Sequence, residues 1–321
     1  MTVSIVLPTY NRAYILPEAL ESVFQQTYRD FELIVVDDGS VDHTAELLKK
    51  VSDTRLHVIR HTRNLGYAAA LNSGVAAATG ELIAFQDSDD LWKPEKLEFE
   101  VKFLAGHPEA AGVFCDMEGV AGTRRTVSRG REYRVFSKML KGGTARDGVL
   151  FSQRDLYLCL LEEMPMKLQG STFRAEALRR TGTFCETWKS GPDWEFMLRL
   201  VRTHSLGYID RPLAVLRTLP DSTLTRYKKE DALCLMERFI TEERGLKGDP
   251  EARAAARRSI VSFANELGWE CLAEGNRIEA VRAYFRGFCV AGDLGLLTRC
   301  AGVLLPRSAR GLMKRIRQAV A

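Results

Sequence analysis

The feature that most constrains this chain is a regular alternation of short apolar runs and helix-patterned segments over its first third. Such alternation predicts βαβ units with right-handed crossovers, and hence an α/β fold around a mostly parallel sheet. From about residue 230 onward the pattern is helical throughout, which predicts a helical C-terminal region. The predicted strands are, in chain order, Val3–Leu7, Phe31–Val36, Leu56–Ile59, Glu81–Phe85 and Ala111–Cys115.

Three polar clusters directly follow predicted strands of this sheet. They are Pro8-Thr9-Tyr10-Asn11, Asp37-Asp38-Gly39-Ser40 and Asp87-Ser88-Asp89. In open α/β sheets, ligands bind outside the carboxyl ends of the strands. The three clusters are therefore expected to share one edge of the sheet and to form one site.

Asp87 and Asp89 are separated by a single residue, so at a strand end their side chains point to the same side, roughly 6–7 Å apart. Two neighbouring carboxylates repel each other unless protons or a cation intervene. A hard divalent ion such as Mg²⁺ or Mn²⁺ resolves the conflict and also takes substrate phosphates. The alternative is an acidic turn in which Asp90 caps the next helix, which Pro94 would begin.

The absent motifs exclude several classes of protein. No GxGxxG and no GxxxxGK[ST] occurs, which argues against a dinucleotide-binding dehydrogenase and a P-loop NTPase. A net charge of +4 is too small to indicate a nucleic-acid-binding protein. Without a membrane-spanning run, a signal peptide or paired cysteines, we expect a cytoplasmic protein with inert thiols.

Taken in order, the motifs resemble those of the family 2 inverting glycosyltransferases, which have the GT-A fold. The motifs are Pro8-Thr9-Tyr10-Asn11-Arg12, Val35-Val36-Asp37-Asp38-Gly39-Ser40, Asn64-Leu65-Gly66 with Asn72-Ser73-Gly74, Asp87-Ser88-Asp89-Asp90-Leu91-Trp92, Gly170-Ser171-Thr172-Phe173-Arg174 and Gly191-Pro192-Asp193-Trp194-Glu195. The resemblance implies a Rossmann-like GT-A domain over residues 1–225. Its nucleotide-binding half would be 1–118 and its acceptor half 119–225, with residues 226–321 as a helical C-terminal region.

The resemblance also implies a role for each motif residue. It places Mn²⁺ or Mg²⁺ on Asp89, with Asp87 as a second ligand. The residues implied to bind the nucleotide-sugar are Pro8, Thr9, Tyr10, Asp38, Asn64, Gly66, Asp87 and Ser88. For Asp38, turn formation in the Asp-Gly-Ser segment is the alternative interpretation.

Asp193 matches the acidic position that serves as the catalytic base in the resembled family. A carboxylate at a helix N-terminus is also favoured by the helix dipole, and both interpretations hold together. Trp188 and Trp194 are candidates for contact with an acceptor sugar, with packing as the alternative.

The function implied by the resemblance is inverting transfer of one sugar from a nucleotide-sugar, expected to be a UDP-sugar. The acceptor is expected to be a hydroxyl of a glycan or lipid-linked molecule in cell-surface polysaccharide synthesis. Two departures put acceptor and diphosphate contacts in doubt: Pro192 replaces a frequent Glu, and Leu219 replaces a frequent His. The absence of Q-x-x-R-W and of membrane spans argues against a processive synthase.

Two alternatives remain open from the sequence. A sugar nucleotidyltransferase would carry a glycine-rich basic loop after the first strand, where Pro8-Thr9-Tyr10 stands instead. A non-catalytic nucleotide-binding or scaffold protein would tolerate the departures at Pro192 and Leu219.

The end of the chain is basic and amphipathic. Arg307, Arg310, Lys314, Arg315 and Arg317 alternate with the apolar residues Leu312, Met313, Ile316 and Val320. Such a segment suits peripheral contact with an anionic membrane at its inner face, or a solvated helix end.

Overall fold

The computed structural model describes residues 1–126, 129–140, 147–188, 191–219, 229–242, 246 and 248–304. The chain forms two compact units, Met1–Arg226 and Tyr227–Ala321. The predicted basic segment after residue 304 lies outside the described residues.

The first unit is built from strands and helices that alternate along the chain. Its strands are β1 Val3–Thr9, β2 Phe31–Asp37, β3 Leu56–Arg60, β4 Leu82–Phe85, β5 Leu91–Trp92, β6 Ala110–Ala121, β7 Arg124–Thr126, β8 Val149–Phe151, β9 Ser171–Arg174 and β10 Ser205–Arg217. Its α-helices are α1 Leu16–Phe24, α2 Thr44–Lys49, α3 Tyr67–Ala77, α4 Lys96–Gly106, α5 Arg134–Met139, α6 Gln153–Glu162, α7 Ala175–Thr181 and α8 Pro192–Val201.

These strands form one sheet in the order β3-β2-β1-β4-β9-β6-β10-β5, with β7 beside β6 and β8 beside β10. Strands β1 to β4 are all parallel, as their helical crossovers require. Strand β9 runs antiparallel between β4 and β6 and joins the two halves of the sheet. The predicted Rossmann-like α/β architecture is confirmed.

The complete burial of β1 agrees with its position inside the sheet, between β2 and β4. Every residue of β1 is buried, because helices cover both faces of a parallel sheet. Helix α1 places Leu16, Ala19, Leu20 and Val23 on its buried face, at helical spacing. The carboxyl ends of β1, β2 and β4 therefore meet at one edge on a rigid base.

The second unit is helical in its described part, as predicted. It contains α9 Lys229–Glu242, α10 Pro250–Ala273, α11 Arg277–Ala291 and α12 Leu294–Leu304. The side chains of Asp249 and Asn276 cap α10 and α11 through the backbone N–H groups of Ala252 and Glu279. No helix of the described part is long and apolar enough to cross a bilayer.

Candidate active site

The first part of the site is the side-chain carboxylate of Asp38, whose two oxygens have several hydrogen-bond partners. The backbone N–H of Asp38 donates to the Thr9 carbonyl over 2.9 Å, which ties the end of β2 to the end of β1. The side-chain Oδ1 of Asp38 lies 2.7 Å from His61 Nδ1 and accepts a hydrogen bond from the Leu65 N–H over 2.9 Å. Its Oδ2 accepts from the Gly66 N–H over 2.8 Å. Asp38 is therefore fixed in one orientation, and only 3% of it is exposed.

Two glycines make this arrangement possible. Gly66 has φ +100°, which lets its N–H turn toward Asp38, and a side chain is strained there. Gly39 has φ +75° and packs so tightly that a Cβ would lie 2.4 Å from the carbonyl carbon of Arg63. The Asp-Gly turn thus forms as expected, and it presses the Asp38 loop against the segment before Asn64.

The loop after β1 is locked to the loop after β2. Asn11 adopts the left-handed conformation, with φ 53°. Its N–H donates to Ser40 Oγ over 2.9 Å, and its Oδ1 accepts from the Val41 N–H over 2.9 Å. Pro8 and Thr9 are buried beneath, whereas Tyr10 is 42% exposed and Asn64 is exposed at the rim. The rim thus presents an aromatic ring and an amide above a fixed carboxylate.

The second part of the site is acidic. Asp87 and Asp89 follow β4 and are half-buried, with the buried Ser88 between them. Tyr67 Oη donates to Asp87 Oδ1 over 2.9 Å, and a nitrogen of the Arg12 guanidinium lies 3.7 Å from Asp89 Oδ2. The two carboxylates therefore receive contacts from the start of α3 and from the loop after β1.

Electrostatics link this pair to Asp193. The pKa of Asp87 is raised to about 7, first by burial, then by the charge of Asp89 and further by the charge of Asp193. The hydrogen bond from Tyr67 and the charge of Arg12 act in the opposite direction and lower this pKa. Burial, Asp87 and Asp193 also raise the pKa of Tyr67 well above its ordinary value. The charges of Asp87, Asp89 and Asp193 thus all act on the Tyr67 hydroxyl.

The donor set suits a hard cation that a ligand helps to hold. Among the described residues, no three His, Cys, Asp or Glu side chains are grouped to hold a metal by themselves. Mg²⁺ is characteristically bound by one or two carboxylates, with substrate phosphates and water completing the shell. The repulsion between Asp87 and Asp89, which raises the pKa of Asp87, fits such a shared site.

Asp90 does not cap the following helix, so that alternative interpretation of the motif is wrong. Helix α4 begins at Lys96 without a side-chain cap. The buried carboxylate of Asp90 instead accepts from the Arg217 N–H and from Gln169 Nε2, each over 2.8 Å. It therefore ties the acidic turn to the end of β10 and to the segment before β9.

Arg217 lies directly beneath the acidic turn. Its Nε donates to the carbonyl of Asp89, and its guanidinium forms an ion pair with Glu18 on α1. A third guanidinium nitrogen is buried without a hydrogen-bond partner among the described residues. The Arg of the Arg217-Thr218-Leu219 segment thus braces Asp89, although the usual histidine is missing.

Asp193 stands in the first turn of α8, where the helix dipole favours a carboxylate. Gly191 precedes the helix with φ +68°, and Pro192 occupies the first turn. The other acid of this turn, Glu195, is held by Arg199, whose Nη2 lies 2.9 Å from Oε2. Glu195 is thus engaged in an ion pair within its own helix, unlike Asp193.

The two tryptophans differ in position. Trp194 is buried, and its Nε1 donates to the Leu160 carbonyl over 2.8 Å, which favours the packing interpretation. Trp188 is half-buried in the segment before α8.

Tyr67 and His61 are not among the site residues predicted from the sequence. Both contact a motif carboxylate, and His61 also places Nε2 2.9 Å from Ser73 Oγ on α3. Tyr67 directly follows the Asn64-Leu65-Gly66 motif, which is the signal that could have identified it. His61 carries no comparable signal, because its partner Asp38 is distant in sequence.

Comparison with known proteins agrees with this geometry. The model of glycosyl transferase family 2 matches residues 4–152. An uncharacterized glycosyltransferase of Nostoc is 35% identical over 131 residues, 40% of either protein. The Escherichia coli glucosyltransferase WfgD, named for UDP-Glc and α-D-GlcNAc-diphosphoundecaprenol, is 38% identical over 102 residues, which are 32% of this chain and 40% of WfgD. The chain thus spans less than half the length of these curated relatives.

Two groups of solved structures share the fold. A crystal structure of Staphylococcus aureus TarS with UDP-GlcNAc superposes with a TM-score of 0.65 at 21% identity, covering 99% of this chain and 88% of that one. The Pyrobaculum calidifontis mannosyltransferase PcManGT, solved with GDP-Man and Mn²⁺, has a TM-score of 0.58 at 22% identity, covering 97% and 83%. Residues 4–152 of the chain thus match glycosyl transferase family 2, and the curated relatives that align with the chain are named as glycosyltransferases.

Proposed function

We propose that this protein is an inverting glycosyltransferase that moves one sugar from a UDP-sugar to a hydroxyl group, with Asp193 as general base. The observation that carries the proposal is that Asp87 and Asp89, joined to α3 by the Tyr67 hydrogen bond, follow β4 at the same edge of the sheet as the Asp38 loop after β2. A family 2 domain supplies the nucleotide-binding frame for this grouping.

The nucleoside would lie at the Asp38 end of the site. The exposed ring of Tyr10 offers a face on which a base stacks, and the Asn64 amide offers a donor and an acceptor. Pro8, Thr9 and Gly66 would shape the floor beneath the base and the ribose. Asp38 has polar neighbours on both oxygens, so it would bind the base without moving.

The diphosphate would lie between the nucleoside and the acidic turn. Asp89, with Asp87, would hold Mg²⁺ or Mn²⁺, and the bound cation would offset the charge of the departing diphosphate. Ser88, which separates Asp87 from Asp89 in the sequence, would lie close to the ribose and phosphates. Arg217 holds the carbonyl of Asp89, so it keeps the turn in position during the reaction.

The chemical step requires one proton acceptor. As the acceptor oxygen forms its bond to the sugar C1, the bond from C1 to the diphosphate oxygen breaks. Asp193 takes the acceptor proton in this step, because a neutral hydroxyl is a poor nucleophile. One displacement inverts the anomeric centre, so the site needs no second nucleophile. Glu195 could take over the role of general base only by losing its ion pair with Arg199.

The acceptor we propose is a glycan or a lipid-linked saccharide of a cell-surface polysaccharide. Support comes from WfgD, which is named as a glucosyltransferase acting on a diphosphoundecaprenol-linked GlcNAc. The half-buried Trp188 stands before α8, close in sequence to Asp193, and is the remaining aromatic candidate for acceptor contact.

The test is release of nucleoside diphosphate from a panel of nucleotide-sugars with Mn²⁺ or Mg²⁺, with and without candidate acceptors. We expect turnover with one UDP-sugar, loss of turnover in Asp89→Ala, and loss of turnover with retained UDP binding in Asp193→Ala. Nucleotide binding without turnover for any donor and acceptor pair would favour a non-catalytic protein. Release of pyrophosphate from UTP and a sugar phosphate would instead indicate a nucleotidyltransferase.

A further inference from the structure

A side-chain amide in the middle of α3 binds the segment that leads toward α8. Asn72 Oδ1 accepts from the Phe184 N–H over 2.8 Å, and its Nδ2 donates to the Phe184 carbonyl over 2.9 Å. The same Nδ2 donates to Glu186 Oε1 over 2.9 Å. One amide thus makes three hydrogen bonds to residues that follow it by 112 and 114 positions in the sequence.

Helix α8 binds the same segment from its own side. Arg199 Nη1 donates to the Thr181 carbonyl and Nη2 donates to the Thr183 carbonyl, each over 2.7 Å. We call residues 181–184 the bridging segment, because Asn72 joins this segment to α3 and Arg199 joins it to α8. Since Asp193 stands on α8, the bridging segment connects the proposed base to α3.

The ring of Phe184 makes a second connection between the acidic parts of the site. It stacks on Phe196 of α8, with the ring centroids 4.2 Å apart, and meets the ring of Phe85 edge-on at 5.7 Å. Phe85 ends β4, two residues before Asp87, and Phe196 follows Asp193 by three residues. The buried ring of Phe184 therefore packs against both elements that carry the acids.

We propose that Asn72 is a positioning residue for Asp193. By fixing the backbone of Phe184, Asn72 sets the place of α8 relative to α3, and so the place of the Asp193 carboxylate at the acceptor hydroxyl. Tyr67 joins the same helix α3 to Asp87, so α3 is the common support of both acidic parts. The inference rests on the proposed function, because it requires Asp193 to be the general base.

The first test combines steady-state kinetics with calorimetric titration by UDP. In Asn72→Ala, kcat should fall on the order of 100-fold, because a shift of about 1 Å at a reacting group has an effect of that size. The KM for the donor and the affinity for UDP should stay the same, since the side-chain hydrogen bonds of Asn72 go to Phe184 and Glu186.

A double variant separates positioning of the base from a general loss of structure. In the Asp193→Asn background the base is already gone, so adding Asn72→Ala should lower kcat no further. A further fall of the same size as in the wild-type background would overturn the proposal, because Asn72 would then act independently of Asp193.

A rescue variant tests the hydrogen bonds themselves. Asn72→Asp removes the amide donor and places a second carboxylate beside Glu186, so kcat should fall. Adding Glu186→Gln gives the new carboxylate an amide donor and should recover part of that loss, whereas Glu186→Gln alone should change kcat little. The absence of any recovery in the double variant would contradict the proposal.

Glu32→Ala is the matched control for stability. Glu32 Oε1 accepts from Ser4 Oγ and from both the N–H and the hydroxyl of Thr79, and so joins the segment after α3 to the start of β2. This junction also has three hydrogen bonds, but it lies at the opposite edge of the sheet from the acidic turn. Glu32→Ala should lower the melting temperature and leave kcat unchanged. Equal losses of kcat in Glu32→Ala and Asn72→Ala would overturn the proposal, because the loss would then follow stability.

The two levels of the argument fail in different ways. If Asp193→Asn kept its kcat, the proposed base would be wrong, and the role of Asn72 would be wrong with it. If Asp193→Asn lost its kcat while Asn72→Ala kept full kcat, the proposed function would stand and only the positioning role of Asn72 would be refuted.

Discussion

The carboxylates at the two ends of the candidate site have opposite surroundings, hydrogen-bond partners at one end and like charges at the other. Asp38 is held by His61 and by the backbone N–H groups of Leu65 and Gly66. Asp87 receives the Tyr67 hydroxyl, but it faces the charges of Asp89 and Asp193. The first end is already arranged for a ligand, whereas the second keeps an electrostatic conflict. The contrast supports our proposal that the chain alone forms the nucleoside end and that a cation completes the diphosphate end.

The largest expected effect lies at the acidic end and concerns the proposed base. Asp193→Asn keeps the shape of the side chain but cannot accept the acceptor proton, so kcat should fall by about 10³-fold. UDP affinity should change little. Steady-state kinetics and calorimetric titration with UDP measure the two quantities.

Glu195→Gln is the matched control on the same helix. It should lower the melting temperature, because it breaks the ion pair with Arg199, and it should leave kcat within about twofold of wild type. If Glu195→Gln lost as much activity as Asp193→Asn, the assignment of the base would be wrong.

The second effect tests the need for a cation. Asp89→Ala removes the proposed ligand, and kcat/KM should fall by at least about 100-fold at any Mn²⁺ concentration. Asp53→Ala, which removes an acid paired with Arg55 far from the site motifs, serves as the control and should retain activity. Full activity of wild type in EDTA would refute the proposed cation.

The third effect tests the nucleoside end. His61→Ala leaves Asp38 without one of its donors, and the KM for the donor should rise about tenfold while kcat stays unchanged. His61→Asn can still donate to Asp38 and should recover most of the loss. A fall in kcat at constant KM would contradict a positioning role at this end.

The conflict at Asp87 also predicts an effect on stability. The pKa of Asp87 is about 7 in the fold, above its ordinary value of 3.8. The folded protein therefore loses stability as the pH rises from 3.8 to about 7, where the unfolded chain is already ionised at this residue. Asp87→Asn should therefore raise the melting temperature by roughly 2–4 °C in EDTA at pH 8, an effect of about 1 kcal/mol. The difference should vanish near pH 4. A wild-type protein that gains stability between pH 5 and pH 8 at this site would contradict the account.

The smallest effect concerns Tyr67. Its hydrogen bond lowers the pKa of Asp87, so Tyr67→Phe should shift the acidic limb of the kcat/KM profile upward by roughly half to one pH unit. Tyr28→Phe, which removes a hydroxyl that donates to the Met1 carbonyl, is the control and should leave the profile unchanged. An identical profile in Tyr67→Phe would show that Asp87 does not govern that limb.

Much of this site was predictable because the chain places its motifs at strand ends. The order of strands and helices predicts one shared edge, and the motifs of Asp38 and Asp89 lie there in the structure. Side-chain contacts between distant segments were not predictable, since they depend on packing and not on spacing. His61 on Asp38 and Arg217 on Asp89 are of this kind. The capping interpretation of Asp90 failed for the same reason, because its partners come from β10 and from Gln169.

The most direct measurement of the contrast is calorimetric titration of the protein with uridine and with UDP, each in Mn²⁺ and in EDTA. We predict that uridine affinity is the same in both buffers, because the Asp38 end needs no cation. UDP affinity should be at least about tenfold higher in Mn²⁺, and Asp89→Ala should abolish that gain. Equal UDP affinity in Mn²⁺ and EDTA, or uridine binding that requires Mn²⁺, would contradict the account.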